Sequence, residues 1–181
     1  MATDITSKEF VELATNVVKG SLAGEPLKIA KGISDEELNA VYSLAYSYYN
    51  TGRYDEALKL FKFLVMFDHM SQKFWTGLGS VYQVTKRWDD AISAYAQAMV
   101  LDSSRPKPIY YAALCYFAKG EKLHAASSVV SFDLLCKGND PETAKFRVKV
   151  DALRAAIGPE AFAELDKIDR EAAAKKSSGA K

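Results

Sequence analysis

Residues 75–95 read WTGLGSVYQVTKRWDDAISAY, and elements of this stretch recur along the chain with a period of 34 residues. Aligning the sequence with itself at that shift superposes three alanines and three tyrosines: Ala57, Ala91 and Ala125, and Tyr48, Tyr82 and Tyr116. A period between about 20 and 50 residues is typical of repeat architectures, in which each copy is one supersecondary unit. The chain is therefore predicted to contain three stacked copies of one unit.

The middle copy resembles the tetratricopeptide repeat (TPR), whose pattern is W-x2-L-G-x2-Y followed by A-x3-F. Small residues recur at the eighth and twentieth positions of each copy, where two helices must approach closely: Ala45 and Ala57, Gly79 and Ala91, Ala113 and Ala125. The predicted fold is all-α, with three TPR helix pairs forming a curved solenoid at residues 34–138. The pairs are expected at about residues 37–70, 71–104 and 105–138.

Further helices are predicted on both sides of the repeats. Residues 1–33 are expected to form an N-terminal helix, opened by a capping box at Thr6-Ser7-Lys8-Glu9, and a linker. Ser34-Asp35-Glu36-Glu37 has the same pattern and should begin the first TPR helix. Residues 139–170 are expected to form C-terminal capping helices, which repeat arrays need to cover their last interface. Residues 171–181 are predicted to be a disordered tail.

Composition excludes several classes of function. The chain has 181 residues and a formal net charge of +1, and its lysines and arginines are scattered, so we expect no nucleic-acid partner. Charged residues interrupt every apolar run before the roughly 18 residues of a membrane span, so we expect no direct membrane insertion. The first ten residues, MATDITSKEF, lack the apolar region of a secretory signal.

No pattern of catalytic or metal-binding residues is present. His69 and His124 lack paired-ligand spacing, and the two cysteines, Cys115 and Cys136, cannot complete a four-ligand zinc site. Gly77-Leu78-Gly79 lacks the third glycine of a dinucleotide-binding loop and falls within a predicted helix. We therefore expect no enzyme activity, no cofactor and no metal.

The first helix of each TPR pair lines the concave face, so its inward positions predict a peptide-binding groove. These positions are Asn39, Tyr42, Tyr46 and Tyr49 in the first copy, Lys73, Thr76, Ser80 and Gln83 in the second, and Lys107, Tyr110, Leu114 and Phe117 in the third. Such aromatics can also be core residues. The core positions, however, are predicted to be filled by Leu44, Tyr48, Leu78, Tyr82 and Tyr116. The aromatic residues of the groove therefore need another partner, and an extended bound segment would fit them.

A carboxylate clamp of the cochaperone type is the alternative groove. It requires Lys and Asn at two positions that Tyr42 and Tyr46 occupy here, and Asn and Arg where Gly77 and Tyr111 stand. Only Lys107 fits the clamp. Capture of an acidic C-terminus in this manner is therefore disfavoured.

Residues 8–157 resemble the class II chaperones of bacterial type III secretion. The resemblance rests on VYSLAY at residues 41–46, NTGRYDEA at 50–57, MFDH at 66–69 and FWTGLG at 74–79. Its most distinctive part is the Asp68-His69 junction between the first two units. Ordinary TPR sequences usually have a proline near this junction, whereas this chain has none between Pro26 and Pro106. The resemblance also suggests His69 as a groove residue, although a structural role for this histidine is equally compatible with the sequence.

The resemblance implies a chaperone of the bacterial cytoplasm that holds one or two hydrophobic translocator proteins before export. The guest would be an N-terminal client segment with spaced proline and aliphatic anchors. A weak homodimer is expected through the N-terminal helix, with Phe10, Leu13 and Val17 in the interface, although that helix could instead fold back onto the first pair. The alternative function is a TPR adaptor that links two folded proteins or regulates transcription through a partner.

Overall fold

The computed structural model describes residues 24–178, and this part of the chain is helical without a β-strand. Its helices are α1 Leu27–Lys31, α2 Asp35–Asn50, α3 Tyr54–Phe67, α4 Gln72–Val84, α5 Trp88–Leu101, α6 Pro106–Ala118, α7 Lys122–Leu135, α8 Pro141–Ile157 and α9 Pro159–Ser178. The predicted all-α fold with three helix pairs, α2–α3, α4–α5 and α6–α7, is confirmed. The chain divides into two compact units within α4: the first ends at Leu78, and the second begins at Gly79.

The first unit is built around the α2–α3 pair. Helix α2 begins with the predicted capping box, because the Ser34 hydroxyl accepts the Glu37 N–H and the Glu37 carboxylate accepts the Ser34 N–H. The buried residues of the unit are small or apolar: Leu38, Ala45, Ala57, Phe61, Leu64 and Phe74. Gly77 lies against the Phe61 ring, where a Cβ atom would stand 2.1 Å from ring carbon Cε1. A larger residue at Gly77 would therefore displace that ring.

The second unit has a continuous core that reaches from α6 to α9. Its members are Ile109, Ala113, Ala125, Ala126, Val129, Phe132, Cys136, Phe146, Val150, Leu153, Ile157 and Ala161. The apolar stripe of α8, formed by Phe146, Val150, Leu153 and Ile157, is thus buried, as expected of a capping helix. Gly79 packs against the Tyr95 ring, and a Cβ atom there would lie 2.7 Å from Cε1 of that ring. The small residue at the eighth position is required by this contact.

Helix α8 begins at Pro141, directly after its N-cap residue Asp140. The Asp140 carboxylate accepts the backbone N–H groups of Glu142 and Thr143, and Pro141 occupies the first turn. A hydrogen bond from the Thr143 side chain, followed by these backbone bonds, lowers the pKa of Asp140. Helix α9 differs from the expectation, since it continues to Ser178 through the segment expected to be disordered. Alanine has the highest helix propensity, and the Ala172-Ala173-Ala174 run followed by lysines favours this extension.

The turn inside each helix pair uses a left-handed backbone residue. Gly52 and Gly120 have φ values of 77° and 80°, while the equivalent residue of the middle copy, Lys86, has a φ of 59°. Glycine adopts this conformation without steric cost, whereas a lysine does so at a cost. The middle turn is therefore strained relative to the other two.

The predicted core role of Leu44 is wrong. Leu44 is 47% exposed, and Ala40, Ser43 and Ser47 on the same face of α2 are exposed as well. The physical reason is position in the array: α2 belongs to the first pair, and no earlier pair stands against this face within residues 24–178. Leu78 and Tyr82 are buried as predicted, while Tyr48 and Tyr116 are half-buried.

Candidate peptide-binding site

Three tyrosines of α2 form a ladder of rings in the first unit, which we call the tyrosine ladder. Tyr42, Tyr46 and Tyr49 are spaced by four and three residues, so they share one face of the helix. The Tyr46 ring lies 6.3 Å from each of the other two, with interplanar angles of 12° to Tyr42 and 20° to Tyr49. Tyr54 meets Tyr49 edge-on at 5.9 Å. The structure thus brings three predicted groove residues together.

The two ends of this ladder differ in burial from its middle. Tyr42 is half-buried, with its ring 5.8 Å from Phe61 and 5.9 Å from Phe74, and burial followed by the neighbouring Tyr46 raises its pKa. Tyr46 is 49% exposed. Tyr42 therefore serves as a core residue on one side, as the competing interpretation held, while Tyr46 offers a ring face to the surface.

A lysine and an amide lie beside the ladder. The Lys73 ammonium donates a hydrogen bond to the Asn39 side-chain oxygen and stands 5.2 Å from the centroids of both the Tyr42 and Phe74 rings. A cation over an aromatic face is attracted by the ring quadrupole. These contacts join α2 and the first turns of α4 into one polar and aromatic surface.

Two other predicted residues of the first unit are placed differently. Thr76 is buried, and its hydroxyl donates to the carbonyl of Gln72, so its side chain adds little to a surface. His69 is half-buried in the turn before α4, and its backbone carbonyl accepts the Trp75 indole N–H at 2.8 Å. That bond gives the His69 backbone a structural role.

In the second unit, Ser80 and Gln83 surround the hydroxyl of Tyr95. This hydroxyl donates to the Gln83 side-chain oxygen at 2.7 Å and lies 3.4 Å from the Ser80 oxygen. The Tyr95 ring is stacked on Tyr111 with a centroid separation of 5.9 Å and an angle of 20°. Ser80 and Gln83 thus belong to an internal hydrogen-bond cluster as well as to the predicted groove.

The predicted groove residues of α6 form a half-buried row. Tyr110, Leu114 and Phe117 pack against the core of the second unit, and Lys107 stands in the first turn of α6. The Tyr110 ring meets Phe146 of α8 at 5.4 Å, and burial raises the pKa of its hydroxyl. Sequence reasoning missed Tyr111 and Phe146 as surface partners of this row. The sequence did offer a signal: Tyr110 and Tyr111 are adjacent on α6, and Phe146 is an aromatic residue on the apolar face of α8.

Neither cysteine has the character of a reactive thiol. Both are free and buried, and burial raises the pKa of Cys115 to about 12 and that of Cys136 to about 11. Within residues 24–178, no cluster of three or more histidine, cysteine or carboxylate side chains could hold a metal ion. In the same range, no helix has both the length and the apolarity that a bilayer crossing demands.

Family models match two segments of the chain. One model of the tetratricopeptide repeat matches residues 38–69, and a second matches residues 75–109. These segments cover most of the first two helix pairs and include the tyrosine ladder. The fold and the site together define a TPR protein.

Curated relatives are similar over most of the chain. The low calcium response locus protein H of Yersinia pseudotuberculosis is 30% identical over 158 residues, which are 87% of this chain and 92% of the relative. The chaperone protein SicA of Salmonella dublin is 31% identical over 135 residues, which are 74% of this chain and 80% of SicA. The chain belongs to this family, the class II chaperones of type III secretion.

Solved structures of similar proteins share the fold. The chaperone SycD of Yersinia enterocolitica, in complex with a peptide of the translocator YopD, is 34% identical with a TM-score of 0.65. That comparison covers 69% of this chain and 95% of SycD. An alternative dimer of SycD matches with a TM-score of 0.64 at 34% identity, covering 69% of this chain and 94% of SycD.

Proposed function

We propose that this protein is a non-enzymatic chaperone of the bacterial cytoplasm that binds hydrophobic type III secretion translocators before export. The observation that carries the proposal is the tyrosine ladder with its exposed middle ring, in a family whose member SycD has been solved with a translocator peptide. The client would bind in an extended conformation, with its apolar side chains against the rings of this ladder.

The ladder suits an extended client segment with apolar anchors. Proline or aliphatic side chains of such a segment can bury apolar area against the exposed ring face of Tyr46. Polar groups beside them can bind the client backbone, because Asn39, Lys73 and the tyrosine hydroxyls supply donors and acceptors. Aromatic anchors in such a surface contribute most of the interface energy.

Binding of this kind protects the client without any chemical step. A partly unfolded translocator that buries its apolar segment in the groove has less surface for self-association or for membranes. The protection scales with the free chaperone concentration relative to the dissociation constant, as for any ligand that binds only one state. Release then requires only a competing partner or dilution.

Co-expression with a translocator encoded beside the chaperone gene, followed by affinity purification and titration calorimetry, tests the proposal. Tyr46→Ala is expected to weaken binding by about 2 kcal/mol, because it removes an exposed aromatic anchor. Leu44→Ala is the matched control, since Leu44 is similarly exposed on another face of α2. Both variants should keep the helical circular dichroism of the parent. Equal affinity of Tyr46→Ala and the parent would reject the groove, and no co-purified translocator would reject the function.

We also propose a weak homodimer, which the alternative dimer of SycD supports. The sequence prediction assigns its contacts to Phe10, Leu13 and Val17, which lie outside the described residues. Sedimentation of the full chain and of a form lacking residues 1–20 tests this assignment. The full chain should show concentration-dependent dimerisation that the shortened form loses. If both forms sediment as monomers at high micromolar concentration, the assignment is refuted.

A further inference from the structure

A cleft of about 450 Å³ opens in the second unit between the N-terminal halves of α6 and α8. Two residues line it from α6, Lys107 and Tyr111, and five line it from α8, namely Pro141, Glu142, Lys145, Phe146 and Lys149. Each helix contributes residues one turn apart, so the side chains of both helices converge on the same space. Three of the seven lining residues are lysines.

The charge of the cleft is unbalanced. Lys107, Lys145 and Lys149 have no ion-pair partner within residues 24–178, whereas Lys119 in the same unit lies 2.6 Å from carboxylates of both Asp89 and Glu121. The one carboxylate of the cleft, Glu142, faces Arg105 at 3.7 Å. Three ammonium groups therefore stand around the cleft with less than one carboxylate to neutralise them.

Aromatic rings form the apolar side of the cleft. Tyr111 meets Phe146 edge-to-face at 6.1 Å and 78°. The Lys149 ammonium lies 5.0 Å from the Phe146 centroid and 5.7 Å from that of Tyr110. The Lys149 ammonium thus lies within cation–π distance of two of these rings. A ligand here meets apolar area and positive charge together.

We propose that this cleft binds an acidic side chain of the client segment, with an adjacent apolar residue packed on Tyr111. This inference rests on the proposed chaperone function and adds a charge preference to it. Lys107 and Tyr110, which belong to the groove row of α6, adjoin the cleft, so one extended segment can reach both. The apolar side favours a peptide over a bare phosphate, which would use only the ammonium groups.

Nuclear magnetic resonance of the ¹⁵N-labelled full chain tests the preference with two probes, acetyl-Leu-Glu-amide and acetyl-Leu-Gln-amide. The glutamate probe should shift amides near residues 107–111 and 142–149 and bind about three- to tenfold more tightly than the glutamine probe. Added salt should reduce that difference, because partly exposed ion pairs are screened. Equal affinity of the two probes would overturn the proposal. Inorganic phosphate that shifts the same amides as strongly would also overturn it, in favour of a simple anion site.

Charge variants separate the cleft from the rest of the surface. Lys145→Gln with Lys149→Gln should remove the preference for the glutamate probe. Lys59→Gln with Lys62→Gln removes the same charge from exposed positions of α3 and should retain the preference. If the variant with Lys145→Gln and Lys149→Gln still prefers the glutamate probe as strongly as the parent does, the assignment of the binding site to the cleft is overturned. Co-purification of a translocator is measured separately: its absence counts against the chaperone function, whereas intact co-purification with no probe preference counts against the cleft alone.

Discussion

The ammonium of Lys28 lies 2.7 Å from Oδ2 of Asp68, forty positions further along the chain. Asp68 is buried in the turn that follows α3, and its Oδ1 accepts the backbone N–H of Met70. Lys28 also reaches Asp35 at 2.6 Å. The short helix α1 is thereby bound to the first helix pair at the Asp68-His69 junction, the feature that distinguishes this chain from ordinary TPR sequences.

Replacement of Lys28 should show how much its contact with Asp68 contributes to the unfolding free energy. Lys28→Met leaves the Asp68 carboxylate with one hydrogen bond in a buried position, which we expect to cost about 1–3 kcal/mol of unfolding free energy. Lys31→Met, on the exposed side of the same helix, is the control and should change stability by less than about 0.5 kcal/mol. Urea unfolding followed by circular dichroism measures both. Similar midpoints for the two variants would contradict the structural role of the pair.

The same contact predicts a pH dependence at the alkaline end. Hydrogen bonds to Asp35 and then to Asp68 raise the pKa of Lys28 above its ordinary value of 10.5. A raised pKa in the folded state means that the stabilisation is complete below pH 10.5 and is lost as the pH rises through the folded-state value. The stability difference between the parent and Lys28→Met should stay constant near neutral pH and narrow above pH 10.5. If the stability difference between the parent and Lys28→Met grows above pH 10.5, the prediction is contradicted.

The repeat period was sufficient to predict the helix pairs because their closest contacts demand small residues. Ala45, Ala57 and Gly79 can be recognised in a sequence, since a larger residue at any of them would collide with the facing helix. Caps are similarly local: Ser34 and Asp140 bind N–H groups within three residues. The fold was predictable where the determinants are short in range or strictly periodic.

The site was predictable only in part, because a pattern identifies a helix face and not what lies against it. Tyr42 and Tyr46 share one face, yet only the structure shows that Phe61 and Phe74 cover the first and leave the second exposed. Leu44 matched a core position but has no preceding pair against it. The cleft was missed because it requires α6 and α8 to be adjacent, a long-range relationship that periodicity does not report.

Gly79 offers a direct test of the close contact in the second unit. Gly79→Leu should lower the unfolding free energy by about 1–3 kcal/mol, since its Cβ alone would lie 2.7 Å from the Tyr95 ring. The melting temperature measures the loss. Tyr95→Leu in the same background makes room, so the double variant should lose less than the sum of the single variants. Strict additivity would show that Gly79 and Tyr95 do not share this contact.

Lys86 should be a site at which glycine stabilises the protein. Its φ of 59° is left-handed, and Lys86→Gly relieves that strain as Gly52 and Gly120 do in the equivalent turns. We expect a gain of about 0.5–1 kcal/mol and a melting temperature higher by about 2–4 °C for a chain of this length. Gly52→Ala is the reciprocal control and should destabilise. A less stable Lys86→Gly variant would contradict the strained turn.

Thiol labelling should report the unfolding of the second unit rather than any native reactivity. With pKa values of about 12 for Cys115 and about 11 for Cys136, only roughly one molecule in ten thousand and one in a thousand carries the respective thiolate at pH 8. Burial blocks the reagent as well, and the Cys136 thiol donates to the Ser104 carbonyl at 3.4 Å. Ellman's reagent should therefore modify neither thiol of the native protein on the timescale of minutes, and both after denaturant is added. Ser103→Cys, at an exposed position between α5 and α6, is the positive control and should react at once. Rapid modification of one native thiol would mean that the α6–α7 core opens far more often than its packing implies, and Cys115→Ala would show which of the two had reacted.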